Sequence, residues 1–173
     1  MKRPYSLAMT DKEKYLSLFG ELYEHSPWVI ETAYDSVVDN EMYNDLEKFH
    51  DLLSTTVLEG SSDLQESLIK AHPMLAGKKA QDNALTDFST DEQKSAGLDS
   101  CSDEEIAIFN DLNKKYFEKF NFPYILAVKG RNKTEILTDF KERLNHTVEE
   151  EKAMALEQIN QIAWMRIKGI YER

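Results

Sequence analysis

The chain has 173 residues, of which 41% are hydrophobic and 31% charged, a balance typical of globular rather than disordered proteins. Lys and Arg number 21 against 32 Asp and Glu, and the resulting net charge of −11 disfavours binding to nucleic acid or to anionic membranes. A single cysteine, Cys101, excludes an internal disulfide, and no apolar stretch is long enough to span a membrane. Because no apolar run follows the first residues as it would in a signal peptide, we expect a cytoplasmic location.

Apolar residues recur at three- and four-residue spacing, and glycine and proline are rare. This pattern predicts an all-α fold, a single-domain multi-helix bundle of about seven to nine helices covering residues 1–173. Many helix starts are marked by capping boxes, in which Ser or Thr is followed three residues later by Glu or Gln. The boxes predict helices that begin at Thr10, Ser62, Ser89, Ser102 and Thr147.

Three further helices are predicted to begin at Ser26-Pro27, near residue 41 and at Thr134. The segment 73–88 is predicted to be loop with at most a short helical turn. The apolar run 124–128 is too short to assign by its period, and we expect either buried extended chain or a helical turn there.

His72 is the first candidate for chemistry. It stands at a predicted helix end directly before Pro73, which fixes its backbone direction. Histidine is also the side chain whose ordinary pKa lies nearest neutrality, so it can exchange protons. The alternative is a structural role, in which the imidazole interacts with the dipole at the helix C-terminus.

The segment Ser89–Gln93 is the second candidate. Its Ser89 and Glu92 form a capping box, which favours a purely structural role. The free amides of a helix N-terminus can also bind anions and carbonyl oxygens, so a binding role stays open.

Arg166 is the third candidate, because it falls on the apolar stripe of the last predicted helix. It lies four residues after Ile162 and four before Ile170. A buried guanidinium must pair with a carboxylate, bind an anion or extend to solvent, and the position alone leaves these alternatives open.

Metal binding has little support. Glu47 and His50 form a single E-x-x-H, whereas a di-iron bundle needs two such motifs and two more glutamates. We therefore predict no metal site, and treat a metal-binding helical protein that uses these two residues as a minor alternative.

Together, several segments resemble one family, the 2-oxo-4-hydroxy-4-carboxy-5-ureidoimidazoline (OHCU) decarboxylases of urate degradation. These segments are His72–Gly77, Ser89–Leu98, Leu112–Tyr116, Lys119–Ile125, Glu135–Leu137 and Ile162–Ile167. Asn121 departs from the resemblance, because the family usually has glycine before this Phe-Pro pair.

The resemblance implies a cofactor-independent carboxy-lyase, usually a homodimer, that converts a small ureidoimidazoline substrate to (S)-allantoin. It implies that His72, Glu92 and Arg166 are catalytic, with His72 as the proton donor. It also implies substrate-binding residues, which are Pro73, Ser89, Thr90, Asp91, Glu92, Gln93, Tyr124, Ile125, Leu126, Ala127 and Val128. An alternative from another class is a non-catalytic acidic helical module that binds a basic protein partner.

Overall fold

A computed structural model describes residues 1–77 and 85–172. This part of the chain contains nine α-helices and one short 3₁₀ helix, and none of its residues is in a β-strand. The helices are α1 (Pro4–Thr10), α2 (Lys12–Phe19), α3 (Trp28–Asp39), the 3₁₀ helix (Glu41–Asn44), α4 (Leu46–Glu59), α5 (Ser62–Lys70), α6 (Asp87–Ser95), α7 (Asp103–Phe120), α8 (Lys133–Arg143) and α9 (Val148–Tyr171). The predicted all-α class is confirmed.

Backbone contacts divide the chain into two compact units. The first unit comprises Met1–Ala71 and Ile159–Arg173, and the second comprises His72–Gln158. Helix α9 therefore contributes residues to both units. The assignment of residues 1–173 to a single domain stays a prediction.

The first unit is built around an aromatic cluster between α2 and α4. Tyr15, Phe19 and Phe49 have no exposed surface, and the rings of Phe19 and Phe49 lie 5.1 Å apart between centroids. The Tyr15 ring meets the Phe19 ring edge-on at 5.2 Å. Such aromatic pairs add to the free energy of burial because edges and faces carry opposite partial charge.

The second unit has its own aromatic core, centred on Tyr116 of α7. The Tyr116 ring lies 5.5 Å from Tyr124 and 5.9 Å from Phe140 of α8, in both cases edge-on. Tyr124 and Phe140 stack in parallel at 3.8 Å. The core thus fixes α7, α8 and the start of the segment 124–128 against one another.

Two predicted helix starts are confirmed in the second unit. The hydroxyl of Ser102 accepts the N–H of Glu105 while Glu105 accepts the N–H of Ser102, which is a complete capping box. The hydroxyl of Thr147 accepts the N–H of Glu150 at the start of α9.

Two other predicted starts in this unit are wrong by one to three residues. Helix α6 is capped by Thr86 and not by Ser89, so Ser89 and Glu92 are interior positions of that helix. Helix α8 is capped by Asn132, which forms a box with Glu135, and Thr134 is already helical. In both cases an earlier polar side chain accepts the first free N–H groups, and the helix starts there.

The starts predicted in the first unit need similar corrections. Asp11 rather than Thr10 caps α2, Ser61 rather than Ser62 caps α5, and α3 begins after Pro27. The helix expected near 41–59 is divided into the 3₁₀ helix and α4, because the Asp45 side chain accepts the N–H groups of residues 47 and 48. Helix α1 was not predicted from the sequence.

Two irregular segments bear on the site. The part of the predicted loop 73–88 that covers residues 78–84 lies outside the described residues, while 73–77 is irregular as predicted. The segment 124–128 has no regular secondary structure, so it is not helical, and all five residues are buried. It follows the end of α7, where Asn121 adopts a left-handed φ of 62° that glycine and asparagine tolerate best.

The capping box at α7 predicts a pH-dependent contribution to stability. The pKa of Glu105 is lowered from its ordinary 4.5, first by the N–H of Ser102 and then by Lys133. A lowered pKa stabilises the fold above the ordinary value, and the stabilisation is lost as the pH falls through the folded-state pKa. We expect Glu105→Gln to be less stable than the parent at neutral pH, with the difference vanishing in acid.

Urea unfolding at a series of pH values measures this difference. Glu104→Gln is the matched control, because it removes a charge from the same helical turn without breaking the box. A Glu105→Gln deficit that stays constant down to strongly acidic pH would contradict the assignment.

Candidate active site

His72 lies two residues beyond the end of α5, in the irregular chain that follows. Its side chain is largely buried, with only 8% of the residue exposed. Helix α5 ends at Lys70, and Pro73 cannot continue it. The predicted placement of this histidine at a helix end is therefore confirmed, and the imidazole is partly shielded from water.

The loop that follows His72 is held by side-chain amides. Gln93 of α6 accepts the N–H of Ala76 at 2.9 Å, and its Nε2 donates to the carbonyl of Met74 at 3.3 Å. Asn113 of α7 donates to the carbonyl of Leu75 at 3.0 Å. Three consecutive residues are thus bound to two helices.

One residue of this loop is conformationally strained. Ala76 has a φ of 50°, in the left-handed region that non-glycine residues rarely adopt, and it is buried. Surrounding interactions must hold such a residue in place. The Gln93 bond to the Ala76 N–H is one of them.

The segment Ser89–Gln93 lies inside α6 and presents two faces. Ser89 and Gln93, four residues apart, are both buried, whereas Glu92 and Thr90 are half-buried and Asp91 is exposed. The Gln93 amide uses one donor and its oxygen on the loop after His72, and its second N–H is not engaged there. Gln93 therefore ties the segment that carries Glu92 to the His72 loop.

The irregular segment 124–128 has an unusual pattern of backbone hydrogen bonds. Side chains bind three of its groups: Arg143 donates to the Ile125 carbonyl at 2.5 Å, Gln158 accepts the Ala127 N–H at 3.0 Å, and Arg131 donates to the Ala127 carbonyl at 3.1 Å. The N–H and carbonyl of Leu126 bond to none of the residues described in 1–77 and 85–172, although Leu126 is only 4% exposed. Buried backbone N–H and carbonyl groups normally have hydrogen-bond partners. These two groups are therefore suited to binding a polar ligand.

A network of buried charges supports this segment. Glu151 of α9 has no exposed surface and accepts three bonds: from Arg143 at 2.8 Å, from Tyr116 at 2.5 Å and from His146 at 2.9 Å. The Arg143 guanidinium also lies over the Tyr124 ring, 4.4 Å from its centroid. The arginine therefore joins α9, the aromatic core and the carbonyl of Ile125.

The shifted pKa values of Tyr116 and Arg143 keep the charge states of these two side chains fixed. Burial raises the pKa of Tyr116, and its bond to Glu151 raises it further, so the phenol stays neutral and donates to the carboxylate. Burial alone would lower the pKa of Arg143, but Tyr124 and Glu151 outweigh it and the net shift is upward. Arg143 is a cation throughout the physiological range.

Arg166 belongs to the first unit, where it pairs with Glu24. Its Nη2 lies 3.0 Å from the Glu24 carboxylate, and its Nη1 donates to the carbonyls of Glu21 and Leu22 at 3.1 and 3.4 Å. Both side chains are 2% exposed. Of the alternatives that the sequence left open, extension to solvent is excluded and pairing with a carboxylate is observed.

His50 has a structural environment in the same unit. Its Nε2 lies 2.7 Å from the carbonyl oxygen of Asn160, and its ring packs on Trp164 at 5.3 Å. Among residues 1–77 and 85–172, no three His, Cys, Asp or Glu side chains are grouped as metal ligands would be. No described helix is both long and apolar enough to cross a bilayer.

Comparison with known proteins identifies the family. Residues 8–168 match the family model of OHCU decarboxylase. The 2-oxo-4-hydroxy-4-carboxy-5-ureidoimidazoline decarboxylase of Haloferax volcanii is 35% identical, over 91% of this chain and 89% of that protein. The chain belongs to the OHCU decarboxylase family.

Two further relatives are longer than this decarboxylase-family chain. The uric acid degradation bifunctional protein PucL of Bacillus subtilis is 33% identical over 95% of this chain, which spans 32% of that protein. A crystal structure of (S)-allantoin synthase superimposes with a TM-score of 0.73 at 30% identity, covering 96% of this chain and 53% of that one. The chain thus corresponds to about half of the allantoin synthase.

Three residues that support the decarboxylase candidate site had no role in the sequence analysis. Arg143 carried the same signal as Arg166, since it lies three residues after the buried Phe140 on the apolar face of its helix. Asn113 stood within a motif that carries the resemblance. Glu24 lies in an irregular segment between α2 and α3, where no periodic pattern marks a buried carboxylate.

The charge network predicts a large effect of removing Arg143. Arg143→Leu leaves the Glu151 carboxylate buried without its guanidinium, and breaking a buried ion pair in this way costs about 3–5 kcal/mol. We expect that loss in the free energy of unfolding, measured with urea. The double variant Arg143→Leu/Glu151→Leu should recover part of it, because the residual charge is then gone. A single-variant loss below about 1 kcal/mol would show that the network is not stabilising as described.

Proposed function

We propose that this chain is a cofactor-independent decarboxylase that converts OHCU to (S)-allantoin, with His72 as the proton donor. The observation that carries the proposal is the family match over residues 8–168, which includes every candidate catalytic and substrate-binding residue. The Haloferax volcanii relative carries the decarboxylase name itself, and the name of PucL refers to uric acid degradation.

The reaction needs an electron sink and a placed proton. The bond between the ring carbon and its carboxylate breaks, carbon dioxide leaves, and the electron pair delocalises into the adjacent ring C=N bond. The ring nitrogen takes a proton and an enol remains. A second proton then adds to the neighbouring carbon, which bears the ureido group, while the hydroxyl group of the decarboxylated carbon loses its proton and becomes a ring carbonyl of allantoin, so this step fixes the configuration of the product. Since the substrate contains its own sink, the protein has to supply orientation, shielding from water and the proton.

The second unit supplies the proton-transfer groups in this proposal. His72, largely buried, delivers the proton, and Glu92 orients the imidazole or accepts the ureido and ring N–H groups. Pro73 and the segment Ser89–Gln93 contact the substrate beside them. The N–H and carbonyl of Leu126, within 124–128, bond to no residue in the described part of the chain and match the polar edge of a ureidoimidazoline.

Arg166 is proposed to bind anionic or carbonyl oxygens of the substrate. Its Nη1 and Nη2 contacts with Glu24 and two carbonyls fix the plane of the guanidinium. A guanidinium that is oriented before binding loses little entropy when substrate arrives.

We further propose a homodimer in the cytoplasm, as the resemblance implies. The single, half-buried Cys101 is consistent with a reducing compartment. Light scattering of the purified chain tests the dimer, and fractionation of cells tests the compartment.

Removing His72 or Glu92 should abolish most of the activity without unfolding the protein. General acid–base groups contribute about 10²–10⁴-fold to rate, so we expect a loss of that order in His72→Ala and in Glu92→Ala. The assay supplies freshly oxidised and hydrolysed urate and follows optically active allantoin by circular dichroism. His50→Ala is the matched control and should keep its kcat.

Helical content and melting temperature of these variants decide between catalysis and structure. Unchanged folding with lost activity supports the proposal. Equal loss of fold and activity would favour the structural alternatives for both residues. A parent protein without decarboxylase activity would favour the acidic interaction module instead, although the family match argues for the enzyme.

Arg166 and Glu24 require a paired test, because each is buried against the other. Arg166→Ala should raise KM, and it should also lower stability by about 3–5 kcal/mol because the Glu24 carboxylate loses its cation. Glu24→Ala/Arg166→Ala removes both charges and should regain stability while KM stays high. If KM returns to the parent value in the double variant, Arg166 does not bind substrate.

A further inference from the structure

We propose that Asn113 is a positioning residue of this enzyme, which fixes the loop after His72 from the neighbouring helix α7. The inference rests on the proposed function, since it takes His72 as the proton donor. Asn113 would act through the loop and not by touching the substrate.

The contacts of Asn113 point to the loop alone. The residue is 5% exposed, and its Nδ2 donates to the Leu75 carbonyl at 3.0 Å. Its Oδ1 is buried and makes no hydrogen bond within the described part of the chain. Among residues 1–77 and 85–172, the single hydrogen bond of this amide is therefore with the third residue after His72.

The buried, unsatisfied oxygen of Asn113 does not favour the stability of the fold. A buried amide with an unsatisfied oxygen carries a desolvation penalty that an apolar side chain of similar volume avoids. A position occupied by asparagine despite that penalty is expected where the amide serves the function, because local rules are typically broken at functional sites.

Gln93 and Asn113 bind different residues of the loop after His72. Gln93 binds Met74 and Ala76, and Asn113 binds the residue in the middle from another helix. Because Ala76 is held at a φ of 50°, releasing the middle carbonyl allows the loop to relax toward an unstrained conformation. His72 and Pro73 begin this loop, so the imidazole would move with it.

The expected loss of kcat follows from the sensitivity of catalysis to the displacement of a reacting group. A shift of about 1 Å in a reacting group can cost about 10²-fold in rate. We expect Asn113→Leu to lower kcat by about 10- to 100-fold with little change in KM, and to leave the melting temperature near that of the parent.

Asn113→Asp provides a second and more specific test. The new carboxylate has nearly the same shape but cannot donate, so at neutral pH it faces the Leu75 carbonyl and repels it. Once protonated, its O–H can donate to that carbonyl again. We therefore expect the ratio of variant to parent kcat to rise as the pH is lowered through the pKa of the new carboxyl.

Asn160→Leu is the matched control. Asn160 is also a buried asparagine, and its Oδ1 accepts from the Tyr23 hydroxyl at 2.8 Å in the first unit. Its loss should lower stability and leave kcat unchanged. The positioning role is overturned if Asn113→Leu keeps the parent kcat, if Asn160→Leu loses as much kcat, or if the Asn113→Asp ratio is independent of pH.

A readout that does not depend on activity separates this inference from the proposed function. The ¹⁵N and ¹H imidazole signals of His72 are assigned by their absence in His72→Ala. The chemical shifts of these signals should change in Asn113→Leu and remain unchanged in Asn160→Leu. If both His72→Ala and Glu92→Ala keep the parent activity, the proposed function is refuted. If the His72 signals do not shift in Asn113→Leu, only the positioning role is refuted.

Discussion

The candidate site depends on how buried backbone without regular structure finds hydrogen-bond partners. Inside a helix the chain satisfies its own N–H and carbonyl groups, but residues 74–76 and 124–128 cannot. Side chains from surrounding helices take over this role, with Gln93 at the first segment and Arg143 at the second. The same bonds that stabilise these segments also determine which of their polar groups are left for a ligand.

Buried arginines in this chain show how charge is accommodated in an apolar interior. Arg143 and Arg166 each lie on the apolar face of a helix. Each pairs with a glutamate whose own side chain is no more than 2% exposed. Helical spacing marked Arg166 as a candidate because a cation on an apolar stripe stands out, but it left extension to solvent open. Its partner Glu24 could not be found in this way, since tertiary structure alone brings an irregular segment to the guanidinium.

Much of the fold was predictable because local signals determine it. Apolar spacing indicated the all-α class, and the boxes at Ser102 and Thr147 gave the correct starts of α7 and α9. At Ser89 the same pattern misled, because Thr86 offers an earlier cap and Ser89 faces the interior. For the site, motifs that carry the resemblance indicated the candidate chemical groups, whereas the contact of Asn113 with the loop after His72 was visible only in the structure. At Asn121 the sequence and the structure agree, because the left-handed backbone conformation at this position suits asparagine as well as the family's glycine.

The early start of α6 has a consequence for how this protein tolerates changes in length. Each residue of an α-helix rotates the next by about 100°, so an insertion or deletion between Thr86 and Gln93 would turn the glutamine away from the 74–76 backbone. Beyond α6, the chain from Asp99 to Ser102 carries no comparable angular constraint, because it is not helical and is largely accessible to solvent. Length variation among natural homologues or in engineered loops should therefore be found after this helix and be absent from its first two turns.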